Sequence, residues 1–357
     1  MKMLKNILIG SAALVAVACN EGIDPISRVA PGPDESAPTV TITYPAEGTL
    51  IRVREDVAPV NIQFEVVDDI EIQTISVSLD GTKVQEFTDF KDYRRALQTY
   101  QYGQLTNGTH TLAITATDLS GKSTTQSVNF EKIAPYQPVY EGEHFYMPFD
   151  GDYMELVSIT NATQVGSPGF SDDAVSGKSY AGAADAYLTL PTTEFLTDEF
   201  SAAFWYKLNA SPDRAGILTI GPPDLVNTAT PNNRTSGFRL FREDAGGKQR
   251  VKLNVGNGDS DFWFDGGAAA DIAAGEWVHI AFTIGLDKVV VYIDGQVVSE
   301  GAFDGVDWTG CDILSIASGA PRFTEWGHLS DQSLFDELRM FNKVLTQTEI
   351  QAIIAGG

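Results

Sequence analysis

One carboxylate of the sequence stands among apolar neighbours. In the stretch SLFDELRMFN, residue alternation puts Leu334, Leu338 and Met340 on one face of a predicted strand, and Asp336 falls on the same face. A buried carboxylate without a partner is strongly destabilising unless it takes up a proton. We therefore expect Asp336 to have a partner. Within the protein, it could accept hydrogen bonds from backbone N–H groups or pair with a base such as Arg339.

The tryptophans are candidates for stacking on a ligand. Trp205 and Trp277 lie inside strand-like alternations, which favours a packing role, whereas Trp263, Trp308 and Trp326 lie in loops rich in Gly, Asp or Pro. A small-molecule site needs aromatic surface and a few polar groups. We predict that the three loop tryptophans line a ligand site, and the alternative for each is that it anchors its loop.

Arg239 is a further candidate for ligand binding. In SGFRLFRED, Phe238 and Leu240 alternate toward the core, so Arg239 faces the other side of the same sheet. The alternative is a surface arginine paired with one of the many acidic residues.

Residues for catalysis do not occur at the required spacing. A retaining glycosidase uses two carboxylates about 5–5.5 Å apart. The runs DEFSAAF and DELRM do not place two acids in that way, and REDAGG reads as a turn. The four histidines are far apart and lack the spacing of a zinc site. The sequence therefore favours a binding protein over an enzyme.

The negative net charge argues against some classes of binding partner. The 357 residues include 24 Lys and Arg against 48 Asp and Glu, a formal charge of −24. Such a surface repels nucleic acid and anionic lipid and is compatible with neutral ligands and cations. The two cysteines, Cys19 and Cys311, lie far apart in the chain, so a disulfide framework is not expected.

The first residues have the pattern of an export signal. Lys2 and Lys5 precede an apolar run that ends at Ala18, too short to span a bilayer, so residues 1–18 are predicted to be a signal peptide. The small residues in AVAC resemble the lipobox of bacterial lipoproteins, which implies that Cys19 is lipidated. An ordinary secretory signal cleaved near Ala18 is the alternative.

The segment after Cys19 is predicted to be a tether. Residues 19–37 are rich in Pro, Gly and acidic residues and cannot form a core. Acidic residues directly after the cysteine resemble the surface-export signal of Bacteroidota lipoproteins. That resemblance implies a lipid anchor in the outer membrane, with the protein facing outside the cell.

Two β domains follow. Residues 38–133 alternate with period two in about seven short runs and predict an immunoglobulin-like sandwich. The motifs ITYPAEGTLI, VSLDG and LTNGTHTLAITATDLSGKS resemble bacterial Ig-like modules, which implies a spacer role. A Pro-bearing linker at 134–142 precedes residues 143–357, whose many strand-like runs predict a jelly roll.

The ordered motifs of the second domain resemble one family. The segments HFYMPFDGDY, SAAFWYKL, GEWVHIAFTI, VVVYIDGQ and LFDELRMFNKVLTQTEIQAI are similar to the laminin-G-like branch of the concanavalin A-like lectin/glucanase fold. A short helix at 347–355 is predicted to close this domain. Thr346 and Glu349 form a capping box, and Leu345 can pack against Ile350 as a hydrophobic staple.

The family resemblance implies a structural calcium ion. In this family the first and last strands of the domain are neighbours, and many members hold calcium close by. Asp150, in FYMPFDGDY, and Asp336 would be its carboxylate ligands here, with backbone carbonyls and water completing a shell of six to eight oxygens.

The functional prediction is a non-catalytic lipoprotein of the cell surface that binds extracellular polysaccharide or oligosaccharide. The setting that the resemblance implies is a glycan-capture system, with outer-membrane glycan importer components as partners. The alternative is a structural or adhesive protein that binds other proteins. A third hypothesis is a polysaccharide-degrading enzyme of unrecognised type.

Overall fold

The computed structural model describes residues 32–193 and 195–356. Nearly all regular structure in these ranges is β-strand, and one α-helix lies near the C-terminus. The all-β prediction is therefore confirmed, and the chain divides into two compact units. The predicted signal peptide, Cys19 and most of the predicted tether lie outside the described residues. No helix in the described ranges is long and apolar enough to cross a membrane.

The first domain is a sandwich of two sheets. Its described strands are β1 (Thr39–Tyr44), β2 (Leu50–Ile51), β3 (Ala58–Val67), β4 (Ile72–Leu79), β5 (Thr82–Phe87), β6 (Arg95–Leu105), β7 (Gly108–Asp118) and β8 (Ser123–Lys132). One sheet has the order β1-β3-β6 and the other β2-β8-β7-β4-β5. Ile62, Phe64, Ile75, Val77 and Ile114 are buried, as the alternation predicts.

The second domain contains two larger sheets. Its described elements are β9 (Glu143–Met147), β10 (Met154–Glu155), β11 (Thr160–Asn161), β12 (Thr163–Val165), β13 (Gly169–Ser171), β14 (Ser179–Ala181), β15 (Tyr187–Pro191), β16 (Phe200–Lys207), β17 (Arg214–Ile220), β18 (Ser236–Asp244), β19 (Gln249–Asn257), β20 (Asp261–Phe264), β21 (Asp271–Ile272), β22 (Trp277–Ile284), β23 (Lys288–Ile293), β24 (Gln296–Ala302), β25 (Ile313–Ile316), β26 (Leu334–Phe341) and the helix α1 (Gln347–Gly356).

The two large sheets enclose one apolar core between them. The first large sheet runs β13-β14-β26-β16-β22-β23-β24, with β9 paired to β26. The second large sheet runs β12-β15-β25-β17-β18-β19-β20, with β21 paired to β19. Apolar side chains of both sheets, such as Phe204, Phe282, Phe238 and Leu240, form one buried core. The strand patterns place these residues inside because every second side chain of a strand faces the same way.

The C-terminal helix covers part of the outer face of the first large sheet. Thr346 N–H donates to Glu349 Oε2 at 2.7 Å, and Glu349 N–H donates to Thr346 Oγ1 at 3.3 Å, which confirms the predicted capping box. Leu345 and Ile350 are both buried in a small cluster with Ala203 of β16. The predicted helix and its apolar contact are therefore present.

A β-bulge in β26 changes the side on which Asp336 lies. The register shifts opposite β16, and Glu337 has a positive φ of 52°. Asp336 pairs with Trp205, whose side chain faces away from the core, while Leu338 and Met340 belong to the core. The prediction that Asp336 shares their face was wrong, because one extra residue in a strand reverses the side-chain alternation.

A buried ion pair lies between the two large sheets. Arg242 Nη2 donates to Asp331 Oδ1 at 2.9 Å, and both side chains are fully buried. Tyr206 OH donates to Asp331 Oδ2 at 2.6 Å, and Ser333 Oγ donates to Oδ1 at 2.6 Å. Arg242 Nη1 also donates to Gln249 Oε1 at 2.6 Å. The pair therefore forms the centre of a network that joins strands of both sheets.

Candidate functional site

Strand register brings five side chains of the second large sheet into one row across β25, β17, β18, β19 and β20. The row, called the polar row below, consists of Ser315, Thr219, Arg239, Asn254 and Trp263. Directly paired residues share one face of a sheet. Since the adjacent residues of these strands belong to the core, the polar row lies on the face that points away from it.

Two tryptophans form an exposed aromatic surface at the end of this row. Trp263 is 44% exposed and Trp326 is 38% exposed. Their ring centroids are 6.1 Å apart, with 34° between the ring planes. The structure thus brings two of the predicted ligand-binding residues together, and we call them the indole pair.

Buried rings support the indole pair from below. Phe241 meets Trp263 edge-on at 5.9 Å, and Phe323 meets Trp326 at 5.7 Å. His328 stacks on Phe323 at 4.8 Å. Burial lowers the pKa of His328 to about 4, so its imidazole is neutral at pH 7 and packs as an aromatic ring. These contacts hold the indoles in place before any ligand arrives.

Arg234 adds a charged group to the indole pair. Its guanidinium carbon lies 4.9 Å from the Trp326 ring centroid and 5.6 Å from that of Trp263, which is cation–π geometry. Its Nε donates to Asp261 Oδ2 at 3.0 Å, and the same oxygen accepts from Asn254 Nδ2 at 2.8 Å. Sequence reasoning missed Arg234, because an arginine in the polar loop PNNRTSG has no pattern that separates it from any surface arginine.

Arg239 lies on the predicted face of its sheet but is fully buried. Its Nη2 donates to Asn233 O at 2.5 Å and its Nη1 to Arg234 O at 3.5 Å. Burial is the main reason that the pKa of Arg239 falls to about 10, and the nearby Arg234 charge adds to the effect. This burial could not be predicted from the strand pattern, because the residues that cover Arg239 come from a loop.

Trp308 lies elsewhere. Its ring packs against the core beside Phe200 and Phe238, at centroid distances of 5.6 and 6.3 Å. Its Nε1 donates to Thr197 O at 2.9 Å. The structure therefore places Trp308 among packing residues and does not bring it together with the indole pair.

Asp336 and Asp150, the predicted calcium ligands, contact one short loop between β13 and β14. Asp336 Oδ2 accepts hydrogen bonds from the N–H groups of Val175, at 2.7 Å, and Ser176, at 3.0 Å. Asp150 Oδ1 accepts one from the N–H of Lys178, at 2.8 Å. The two carboxylates thus bind neighbouring parts of the same loop, which is consistent with a shared site.

The fit of a cation to these residues rests on two observations. Asp336 Oδ1 is buried and has no hydrogen-bond partner within the described ranges. Gly177 lies between the two contacts, and a Cβ there would come 1.8 Å from Asp150 Oδ1, so only glycine leaves that space open. No group of three or more His, Cys, Asp or Glu suited to a metal occurs within 32–193 and 195–356. A calcium ion here would therefore take most of its oxygens from backbone and water.

The groups at the indole pair are suited to stacking and hydrogen bonding. Asp261 is bound by Arg234 and Asn254, and Glu325 accepts a hydrogen bond from Asn232 Nδ2. Both carboxylates are acceptors that already have donors. The arrangement offers two aromatic faces with polar groups around them, which suits a ligand that both stacks and forms hydrogen bonds.

Family comparisons identify both domains. Residues 38–114 match a family model described as bacterial Ig domain, and residues 182–351 match one described as concanavalin A-like lectin/glucanases superfamily, laminin-G type. The chain contains a bacterial Ig domain and a laminin-G-like domain. The indole pair, the polar row and Asp336 all lie within the match of the laminin-G-like domain.

Similar solved structures are distant in sequence. Domain 4 of AbnA, a GH43 extracellular arabinanase from Geobacillus stearothermophilus, is 18% identical, with 59% of this chain and 97% of that chain covered at a TM-score of 0.45. The receptor binding domain of botulinum neurotoxin C/D mosaic serotype is 11% identical (60% and 51% covered, TM-score 0.43). The binding domain of Paraclostridial Mosquitocidal Protein 1 is 13% identical (60% and 52% covered, TM-score 0.45).

The chain spans about half the length of the neurotoxin and mosquitocidal chains. These similarities are too distant to transfer a ligand or an activity. A search of curated proteins found no match.

Proposed function

We propose that the laminin-G-like domain is a non-catalytic module that binds extracellular polysaccharide, and that sugar rings stack on Trp263 and Trp326. The observation that carries this proposal is the exposure of both indoles on one surface, with the Arg234 guanidinium in cation–π contact with both rings. Large exposed aromatic surface on a soluble domain is a feature of binding sites.

The two indoles are preorganised for binding. Phe241 and Phe323 hold the two indoles from below, so little side-chain freedom remains to be lost when a sugar binds. The C–H face of a sugar ring removes apolar indole surface from water, while its hydroxyl groups can bond to Asp261 and Glu325 at the edge. The site is open, which suits a polymer that extends past it.

A protein partner is the second candidate. Leu225 and Val226, in the loop after β17, are 83% and 89% exposed. Adjacent apolar side chains at a loop tip favour contact with another protein over contact with a hydrated sugar. Loss of binding to a surface protein in a Leu225→Ser/Val226→Ser variant, with no polysaccharide retained by the native chain, would support the adhesive function instead.

The indole pair provides the direct test of polysaccharide binding. We expect Trp263→Ala and Trp326→Ala each to weaken binding about fivefold, since stacking on one ring contributes ~1 kcal/mol. Affinity electrophoresis against a panel of polysaccharides measures the change. Release of new reducing ends from any polymer in the panel would identify an enzyme.

Trp308→Ala is the matched control. Because Trp308 packs against the core, we expect this variant to lower the melting temperature and to leave the affinity of the folded protein unchanged. If Trp308→Ala abolishes retention while the two other variants bind as the native chain does, the indole pair is not the site.

We also propose that the protein is a lipoprotein of the outer membrane that faces outside the cell, and that it serves a glycan-capture system with an outer-membrane importer. The support is the AVAC motif that ends at Cys19 and the coreless segment after it. The anchor would hold a polysaccharide-binding domain at the surface, with the Ig domain as a spacer.

Cys19→Ser tests the anchor. We expect the variant to leave the membrane fraction, because the thiol is the attachment point of the lipid and a single apolar run of this length cannot span the bilayer. Fractionation and immunoblotting of the cells measure this. A variant that stays in the membrane fraction with unchanged electrophoretic mobility contradicts the lipoprotein proposal.

Finally, we propose that Asp150 and Asp336 hold a structural calcium ion. The support is their contact with one loop and the unpartnered Oδ1 of Asp336. The ion would supply positive charge to the buried carboxylate, and the residues themselves would fix the loop between β13 and β14 on the first large sheet.

A further inference from the structure

The polar row contains several polar atoms without partners. Thr219 Oγ1, Ser315 Oγ, Arg239 Nε and Asn254 Oδ1 are buried and accept or donate no hydrogen bond within the described part of the chain. All four side chains are fully buried. Buried polar groups are nearly always paired, so four neighbouring exceptions call for an explanation.

Arg239 is also a buried charge, and no carboxylate in the described ranges forms an ion pair with it. Its guanidinium donates hydrogen bonds to the two loop carbonyls of Asn233 and Arg234. A neighbouring acid, Asp261, is already paired with Arg234 at 3.0 Å. Within the described residues, carbonyl oxygens and not a carboxylate therefore face the Arg239 charge.

Cys311 does not supply the missing negative charge. Its side chain is buried near Arg239, and burial raises the pKa of the thiol to about 12. At pH 7 the thiol is protonated and neutral. An uncompensated guanidinium in a buried site is strongly unfavourable unless an anion joins it.

A loop shields this region in the structure. Residues 221–235, the covering loop, lie against Arg239, and their close approach depends on glycine. A Cβ on Gly256 of β19 would lie 2.3 Å from the carbonyl atoms of Thr235, and one on Gly221 would lie 2.5 Å from Arg239 Nη2. The Asn233 carbonyl oxygen thus occupies the position beside Arg239 that an anionic oxygen would take.

We propose that the buried part of the polar row is an anion subsite of the sugar-binding surface. The preferred ligand is an acidic polysaccharide, whose carboxylate or sulfate group is bound by Arg239, Thr219 and Ser315. Arg239 Nε and the two hydroxyl groups are donors, which is what such a group requires. This inference rests on the proposed function, since the neutral part of the polymer stacks on the indole pair.

The register supports one continuous site. Asn254 lies between Arg239 and Trp263, so the anion subsite and the indole pair are joined by a single strand, β19. Entry of the anion requires the covering loop to lift and the ligand oxygen to replace the Asn233 carbonyl. The overall negative charge of the chain slows the approach of an acidic polymer, but its field is screened beyond about 8 Å at physiological salt.

The experiment compares polygalacturonate and dextran sulfate with the neutral polymers arabinan and dextran, using the full chain in affinity electrophoresis. We expect the native chain to bind an acidic polymer at least about tenfold more tightly than the neutral ones, and Arg239→Met to remove that preference. Arg239→Met removes an unpaired buried charge, so its melting temperature is expected to stay the same or rise.

Two further variants keep the test decisive. Thr219→Val has the same shape without the hydroxyl group, and we expect it to weaken binding to the acidic polymer about fivefold. Lys252→Gln removes a positive charge from the same sheet face, where Lys252 is paired with Glu243, and we expect less than about a twofold change. Equal losses in Lys252→Gln and Arg239→Met would mean that general charge attraction, not the subsite, binds the polymer.

The outcomes separate this inference from the proposed function. Retention of neutral polymers that depends on Trp263 and Trp326, without preference for acidic ones, would overturn the anion subsite and leave polysaccharide binding intact. No retention of any polymer would overturn both. If only free sulfate or acetate stabilises the native chain and no acidic polymer binds, the row is a site for a free anion and the inference is wrong.

Discussion

Replacing Asp331 by alanine is expected to lower the free energy of unfolding by about 3–5 kcal/mol, which corresponds to a fall in melting temperature on the order of 10 °C for a domain of this size. The reason is that Arg242 would keep its charge in a fully buried position after losing its carboxylate partner. Tyr206 and Ser333 would lose an acceptor at the same time. Thermal unfolding followed by circular dichroism measures the change.

A surface pair gives the matched control for Asp331. Glu300 pairs with Lys288 at 3.5 Å, and their side chains are 59% and 52% exposed. Glu300→Ala is expected to change the free energy of unfolding by less than about 1 kcal/mol. The double variant Arg242→Met/Asp331→Leu should recover much of the loss, because no unpaired buried charge remains. Equal effects of the two single alanine variants would contradict the buried network.

Removal of calcium is expected to make the stability of the laminin-G-like domain depend on pH. Burial raises the pKa of Asp336 from its ordinary value of 3.8 to about 7, against the opposing effect of hydrogen bonds from Ser176 and Val175. Between pH 3.8 and about 7, the Asp336 carboxyl group is ionised in the unfolded chain and still protonated in the folded chain. The folded state therefore binds more protons, and its stability falls as pH rises through this window.

The size of this effect follows from the shift. A change of about three pKa units corresponds to roughly 4 kcal/mol, lost progressively from pH 4 to pH 7 and constant above. A bound cation neutralises the carboxylate, so calcium should raise the melting temperature most at pH 8. Melting in calcium and in EDTA, at pH 5 and pH 8, measures both effects.

Two variants distinguish an effect of the Asp336 carboxylate from a general effect of changing the loop between β13 and β14. Asp336→Asn should remove this pH dependence in EDTA and abolish the stabilisation by calcium. Asp173→Asn is the control, because Asp173 lies in the same loop but is paired with Lys207 at the surface. Equal transitions in calcium and EDTA at pH 8 would show that the N–H groups of Val175 and Ser176 satisfy Asp336 without an ion.

Much of the fold could be predicted from local patterns. The alternation in β3 and β4 predicted which side chains are buried, and Thr346 with Glu349 predicted the start of the helix. The ordered motifs of the second domain indicated the laminin-G-like family that the comparison found. These features depend on residues close together in the chain, so the sequence carries them directly.

The candidate site could be predicted only in part. Trp263 and Trp326 stood out because an aromatic residue in a polar loop lacks an obvious packing reason. Trp308 stood out for the same reason, yet it packs against the core. Arg234 could not be found, because its contact with two indoles joins residues 29 and 92 positions away in the sequence.

The sequence alone determined two β domains, a C-terminal helix and the set of aromatic and charged residues available for a site. The tertiary structure decided on which side of its strand Asp336 lies, because a bulge at Glu337 shifts the register by one residue. It also decided that Arg239 is buried under a loop and that Arg242 meets Asp331, 89 residues later. Local periodicity fixes the direction of each side chain within a strand, whereas register, loop cover and long-range pairs depend on how separate strands pack together.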